Sequence, residues 1–208
     1  MHKRLDSTDG QVLARMRAGR PGRVFTVADF LDLGGRAAVY QALHRNARAG
    51  RIRKLARGLY DIPRTDPTTG PLVPSTDAIA AALSGRATLR LQPAGAHAAN
   101  LLGLSTQVPV RAVFLTDGPS RNVQFGNRHL ILKHTTPRQM ATAGRISGTV
   151  IQALRWIGKD RVDDQVVSTL RRQLSARDKR QLLADQHHAP AWVADVLKRI
   201  AARPSRRS

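Results

Sequence analysis

The side chains best suited to chemistry lie between residues 36 and 57. The segment GRAAVYQALHRNARAGRIRKLARGLY carries Arg36, Tyr40, Gln41, His44, Arg45 and Arg48, followed within seven residues by Arg51, Arg53, Lys54 and Arg57. Wound as a helix at about 100° per residue, Val39, Ala42, Leu43, Asn46 and Ala47 share one mostly apolar face. The six polar groups take the other side, which has donors and cations and no acid. Arginine presents paired donors to guanine O6 and N7, and glutamine matches adenine N6 and N7. The six are therefore candidate base readers in a major groove. The four cations that follow are candidate phosphate contacts. The competing readings are a solvated polar helix face and a solvated basic hairpin. Tyr40 and Tyr60 suit packing better than stacking, because a single-strand binder calls for more aromatics than the 4% present.

Other chemistry finds little support. The chain has no cysteine, so disulfides, thiolate metal sites and cysteine nucleophiles are excluded. The histidines are His2, His44, His97, His129, His134, His187 and His188, with no HxxxH or HExxH spacing. His187-His188 reads as a helix-end pair, His97 with Asn100 as packing or capping, and Asp163-Asp164 as compensation of a helix dipole. Asp117 precedes a hairpin, but Ile131 stands where a restriction-type nuclease needs its second acid before Lys133. There is no GxxxxGK and no GxSxG. The expectation is a non-enzyme with no catalytic residues, no metal and no cofactor.

Positioning the 36–57 segment requires a scaffold, and the preceding residues supply one. Residues 8–19 read as a helix capped by Ser7 or Thr8, with Val12, Leu13 and Met16 inward. Arg20-Pro21-Gly22 is a turn and Val24-Phe25 a short extended piece. Thr26 and Asp29 form a capping box, with Asp replacing Glu, for a helix at 27–33. Gly34-Gly35 breaks it, and the helix at 36–49 ends at Gly50. Strands at 51–55 and 59–62 then flank Ala56-Arg57-Gly58. Ile52 and Leu55 fall on opposite parities, which a bulge or a short strand would explain. This order is that of a winged helix-turn-helix.

Residues 63–74, PRTDPTTGPLVP, hold four prolines and read as a linker. Beyond them the pattern gives helices at 76–84, 95–102, 147–157, 163–174, 176–186 and 190–202, the last with Pro190 at its first position. Strands are expected at 87–91, 110–115, 122–125 and 129–133, the last two as a hairpin around Gly126-Asn127. The stripe of 190–202, Trp192 included, reads as core rather than interface. The expected fold class is α+β: a winged helix-turn-helix at 1–64, a linker at 65–75, a mixed α/β domain with a small sheet and a C-terminal helical bundle at 76–203, and a disordered basic tail at 204–208.

Charge points the same way. Among 208 residues, 35 are Lys or Arg and 14 are Asp, with no Glu, for a net charge of +21. Residues 1–64 hold 14 of the bases against 5 Asp, net +9, a density well above that of the rest. Such a balance favours a polyanionic partner, most commonly nucleic acid. No apolar run approaches the 18 or so residues of a membrane span, and the N-terminus has no signal-peptide core. The expectation is a cytoplasmic protein without membrane contact.

The segment LGGRAAVYQALHRNARAGRIRKLARGLYDIPR resembles the N-terminal winged helix of AbiEi-type antitoxins, with its G-x-I-x-x-L-x-R-G-L-Y-x-x-P wing. GAHAANLLGLSTQVP, RAVFLTDGPSRNV and APAWVADVLKRIA resemble the second half of a compact family grouped with AbiEi. This resemblance implies the antitoxin of a type IV toxin–antitoxin pair. Its N-terminal domain would repress its own promoter at inverted repeats in double-stranded DNA. Its C-terminal domain would counteract a nucleotidyltransferase toxin without a stable complex. Three alternatives stand beside it: an RNA-binding or ribosome-associated module, an orphan winged-helix regulator with no toxin, and an enzyme with its site in 76–208. The charge and the missing zipper heptads predict a monomer in free solution that binds as two copies on an inverted repeat.

Overall fold

The structure is a computed structural model that describes residues 7–85 and 89–202. It is mixed α+β and divides into two compact units, 1–89 with 123–130 and 90–122 with 131–208.

In the first unit, α1 (Thr8–Ala18) starts at Ser7, whose hydroxyl accepts from the Gly10 amide. After β1 (Val24–Phe25) comes one 3-10 turn, Val27–Phe30, with the expected Thr26–Asp29 capping box. The helix expected at 27–33 is thus shorter and tighter: the Asp29 carbonyl, which a continuing α-helix would offer to the Leu33 amide, accepts from Arg15, and the Leu33 amide bonds to the Phe30 carbonyl instead. Helix α2 (Arg36–Arg48) ends into Gly50, whose φ of +68° is the left-handed conformation that glycine adopts without strain. Strands β2 (Arg53–Ala56) and β3 (Leu59–Asp61) form a hairpin, and the sheet order is β1-β3-β2, antiparallel throughout. Strand β2 starts two residues later than expected, since the Arg51 amide still bonds to the Asn46 carbonyl as part of the helix exit. Both explanations of the parity of Ile52 and Leu55 apply: the strand is short and leaves Ile52 outside it, and the register shifts between Lys54 and Ala56. The core joins Val12, Leu13 and Met16 of α1 to Phe25, Phe30, Val39, Ala42, Leu43, Ile52 and Tyr60.

The segment expected as a linker carries its own structure. Strands β4 (Thr65–Asp66) and β5 (Gly70–Pro71) pair around a turn in which Asp66 Oδ1 accepts from the Thr68 and Thr69 amides. Asp-Pro-Thr-Thr-Gly is turn chemistry as much as linker chemistry. Helix α3 (Thr76–Ser84) follows, capped by Ser75, and lies beside β1.

The second unit begins with β6 (Leu91–Ala94) and α4 (Gly95–Leu101). The strand was expected at 87–91. Its first residues fall outside the described ones, and its run extends through Pro93, which an edge strand tolerates. Strands β7 (Arg111–Thr116), β8 (Arg121–Phe125) and β9 (Arg128–His134) complete a sheet of order β6-β7-β9-β8, with β6 at its edge; residues 123–130 of the β8–β9 hairpin are grouped with the first unit. Helices α5 (Ile146–Ile157), α6 (Asp164–Gln173), α7 (Ala176–Asp185) and α8 (Ala191–Ala201) form the bundle. Pro190 is the N-cap of α8 rather than its first helical residue. The bundle core gathers Ala98, Ala99, Val150, Leu154, Leu170, Leu182, Val193 and Ile200, and Trp192 packs against it as expected. Gly148 lets α5 approach β6 closely: a Cβ there would meet Gln92 Oε1 and the Thr142 carbonyl well inside van der Waals contact. Among the described residues no helix is long and apolar enough to cross a membrane.

One buried carboxylate ties this bundle together. Asp185, at the end of α7, accepts from Ser147 Oγ, from Gln181 Nε2 at 2.8 Å and from Arg145 at 2.7 Å. Burial pushes its carboxyl up, but the hydrogen bonds of Ser147 and Gln181 and the Arg145 charge outweigh that and hold it below the ordinary carboxylate range. Because the folded value is depressed, the stabilisation is complete above about pH 4, the unfolded value, and disappears as pH falls through the folded one. Asp185→Ala should cost about 2–3 kcal/mol at neutral pH. In urea unfolding followed from about pH 6 down to 2, the difference between wild type and variant should shrink as acid is added.

Candidate nucleic-acid interface

Helix α2 is held by its inner face. Val39, Ala42 and Leu43 are fully buried. Asn46, buried beside them, donates its side-chain amide to the Asp9 carbonyl at 3.1 Å and to the Ala42 carbonyl at 2.9 Å. Its neighbour Arg45 closes on the carboxylate of the same Asp9, Nε to Oδ2 at 2.8 Å and Nη2 to Oδ1 at 2.6 Å. The first turn of α1 therefore grips α2 through two adjacent residues. The Arg45 hydrogen bonds hold the Asp9 carboxyl below the ordinary range against a weaker upward push from burial, and the charges of Arg45 and Arg51 act in the same downward direction.

The other acids of residues 7–64 do similar work. Arg15 donates to both oxygens of Asp32 at 2.6 Å and to the Asp29 carbonyl at 2.9 Å, which fixes α1 to the 3-10 turn. Arg23 reaches the Asp29 carboxylate at 3.2 Å. Arg53 grips Asp61, which is 1% exposed, at 2.9 and 2.6 Å, and also donates to the Leu72 carbonyl at 2.8 Å. Asp9, Asp29, Asp32 and Asp61 are the only acids in 7–64, and an arginine holds each of them.

What remains is a surface of cations and hydrogen-bonding groups. Arg36, Tyr40, Gln41, Arg45 and Arg48 are exposed on α2, and His44 is half-buried. Ala37, Gln41, His44 and Arg48, spaced at i, i+4, i+7 and i+11, run along the side opposite the core. In the hairpin region Arg51, Lys54 and Arg57 are exposed, whereas Arg53 is half-buried. Arg36, Arg48, Arg51 and Lys54 make no ion pair among the described residues. Of the ten residues expected at the interface, Arg45 and Arg53 are thus engaged by carboxylates of their own unit. Asp9 and Asp61, which position the two halves of the surface, were not expected there. Their one signal in the sequence is scarcity, a few acids kept among many arginines.

The remaining residues that drew attention have structural partners. His97 is buried with its ring 5.0 Å from that of Phe114, and Asn100 donates to the Ser105 and Gln107 carbonyls. Asp117 pairs with Arg90, and Asp163 caps α6. His187 and His188 sit together on a 3-10 turn, ring centroids 3.9 Å apart.

Removing Arg53 leaves the Asp61 carboxylate buried without its countercharge. Arg53→Ala should therefore lower stability by about 3–5 kcal/mol, whereas Arg51→Gln and Lys54→Gln should change it by no more than about 0.5 kcal/mol. Thermal and urea unfolding of the three variants checks this ordering.

Neither the curated proteins nor the solved structures include a match to this chain. A family model described as a family of unknown function, DUF6088, matches residues 11–182, from α1 into α7. With most of its length covered by that match, the chain belongs to the DUF6088 family.

Proposed function

We propose that the chain is a sequence-specific repressor that binds double-stranded DNA at its own promoter, with residues 1–64 as a winged helix-turn-helix. In this reading α2 is the recognition helix and the β2–β3 hairpin is the wing. The observation that carries it is the sorting of charge. Every acid of 7–64 is bound to an arginine, while Arg36, Arg48, Arg51 and Lys54 stand exposed without a carboxylate. A helix with Gln41 and Arg48 outward, followed by a cationic hairpin, suits a groove flanked by phosphates. One such module reads only a few base pairs, so two copies on an inverted repeat are needed for specific repression.

The second part of the proposal rests on the resemblance to AbiEi-type antitoxins. It makes the chain the antitoxin of a type IV system in the cytoplasm, which counteracts a nucleotidyltransferase toxin without a stable complex. Growth rescue by this chain beside a neighbouring nucleotidyltransferase gene tests that part. Failure to rescue would leave an orphan regulator.

The DNA reading is tested on the promoter duplex, with an unrelated duplex and a structured RNA as competitors. Arg51→Gln with Lys54→Gln should weaken binding to all duplexes alike. The slope of log K against log salt should fall by about 0.9 per lost phosphate contact. Gln41→Ala should leave that slope unchanged and relax sequence preference by about 1–3 kcal/mol. Preference for the RNA, or wild-type salt dependence in the hairpin double variant, would overturn the assignment.

A further inference from the structure

The chain has eight aromatic side chains, and six of them are buried or half-buried in its cores. The two exposed ones are Tyr40 on α2 and Trp156, 46% exposed, at the end of α5 in the second unit. A tryptophan is the largest apolar side chain and is highly buried on average, so an open indole on a well-packed helix marks a contact surface. Its surroundings are specific. The run Arg155-Trp156-Ile157-Gly158-Lys159-Asp160-Arg161 holds three exposed cations and one exposed acid within five positions of Trp156 in the sequence. Gly158, at φ +87°, ends α5 and turns the chain into the 3-10 segment Lys159–Arg161. That turn brings Arg161 back, so that its Nη2 lies 3.4 Å from the Trp156 carbonyl oxygen. Arg155 and Lys159 make no ion pair among the described residues. On the inner side the ring rests near Gly95 at the start of α4, where an ideal Cβ would lie 3.7 Å from Cδ1.

We infer that Trp156 is a stacking platform for one unpaired base of a single-stranded nucleic acid, with Arg155, Lys159 and Arg161 holding the flanking phosphates. Every base offers a π-face, so an indole beside cations takes a nucleotide with little regard to sequence. A protein partner fits less well. The core of a protein interface is depleted of charged residues, Lys and Asp among them, whereas Trp156 is followed closely by exposed Lys159, Asp160 and Arg161. The scarcity of other exposed aromatics limits the site to one base rather than a track. The site is distinct from the α2 surface and goes beyond duplex reading.

The test uses the full chain and a labelled ten-nucleotide oligo(dT), with a random-sequence duplex as control. Binding of the single strand should quench tryptophan emission. That quenching should vanish in Trp156→Phe, where Trp192 remains as the sole emitter. Trp156→Ala should weaken single-strand binding about 5- to 150-fold and leave duplex affinity unchanged, with Trp156→Phe between it and wild type. Arg155→Gln with Lys159→Gln should lower the salt slope by about 0.7 per lost contact. Three outcomes would overturn the inference. One is equal single-strand binding by wild type and Trp156→Ala. Another is a loss shared equally by duplex and single strand. The third is a change in light-scattering mass for Trp156→Ala with oligonucleotide binding intact, which would make the ring a protein contact.

Discussion

The bond between Asp9 and Arg45, together with the Asn46 amide on the Asp9 carbonyl, is the constraint on which the first unit turns. Apolar contact alone leaves a helix free to rotate and slide by small amounts over a smooth core. A bidentate pair and a buried amide at adjacent positions remove that freedom, because each demands its own geometry. The direction of the outward stripe Ala37, Gln41, His44 and Arg48 follows from it. Asn46 also leaves its Oδ1 buried without a partner, so the amide contributes more to placement than to stability.

The same logic runs through the other carboxylates. A chain with 35 basic side chains and 14 acids cannot neutralise itself by pairing every charge, so each acid's position matters. Between residues 7 and 64 the acids bind arginines at the joints between elements: α1 to α2, α1 to the 3-10 turn, and β2 to β3. In the second unit Asp185 joins the start of α5 to the end of α7. Partly exposed pairs add little stability in general, but a buried carboxylate such as Asp61 makes its arginine indispensable. The cations left over are those that local structure does not need, and they are the ones available to a polyanion.

Local pattern was enough for most elements. Ser7, Thr26 with Asp29, and Ser175 cap their helices as short polar side chains do before an apolar period. Gly50 and Gly58 take the positive φ that a helix exit and a tight hairpin require. Where local reading failed, a competing local signal was responsible. Pro93 masked an edge strand, and the prolines of 63–74 masked the β4–β5 pair.

The sequence by itself determined which residues carry donors and cations, on which helix face they lie, and that the chain is α+β with its basic density toward one end. These depend on residue type and on spacings within a few positions, where helix and strand periods act. Tertiary structure alone decided which cations are engaged. Arg45 meets a carboxylate 36 positions away, Arg15 one 17 away, and Arg145 one 40 away. No periodicity reports on such distances, because ion pairing follows separation in space and not along the chain. The exposure of Trp156 has the same origin: its place on the α5 period is visible in the sequence, but whether another element covers it depends on packing between helices.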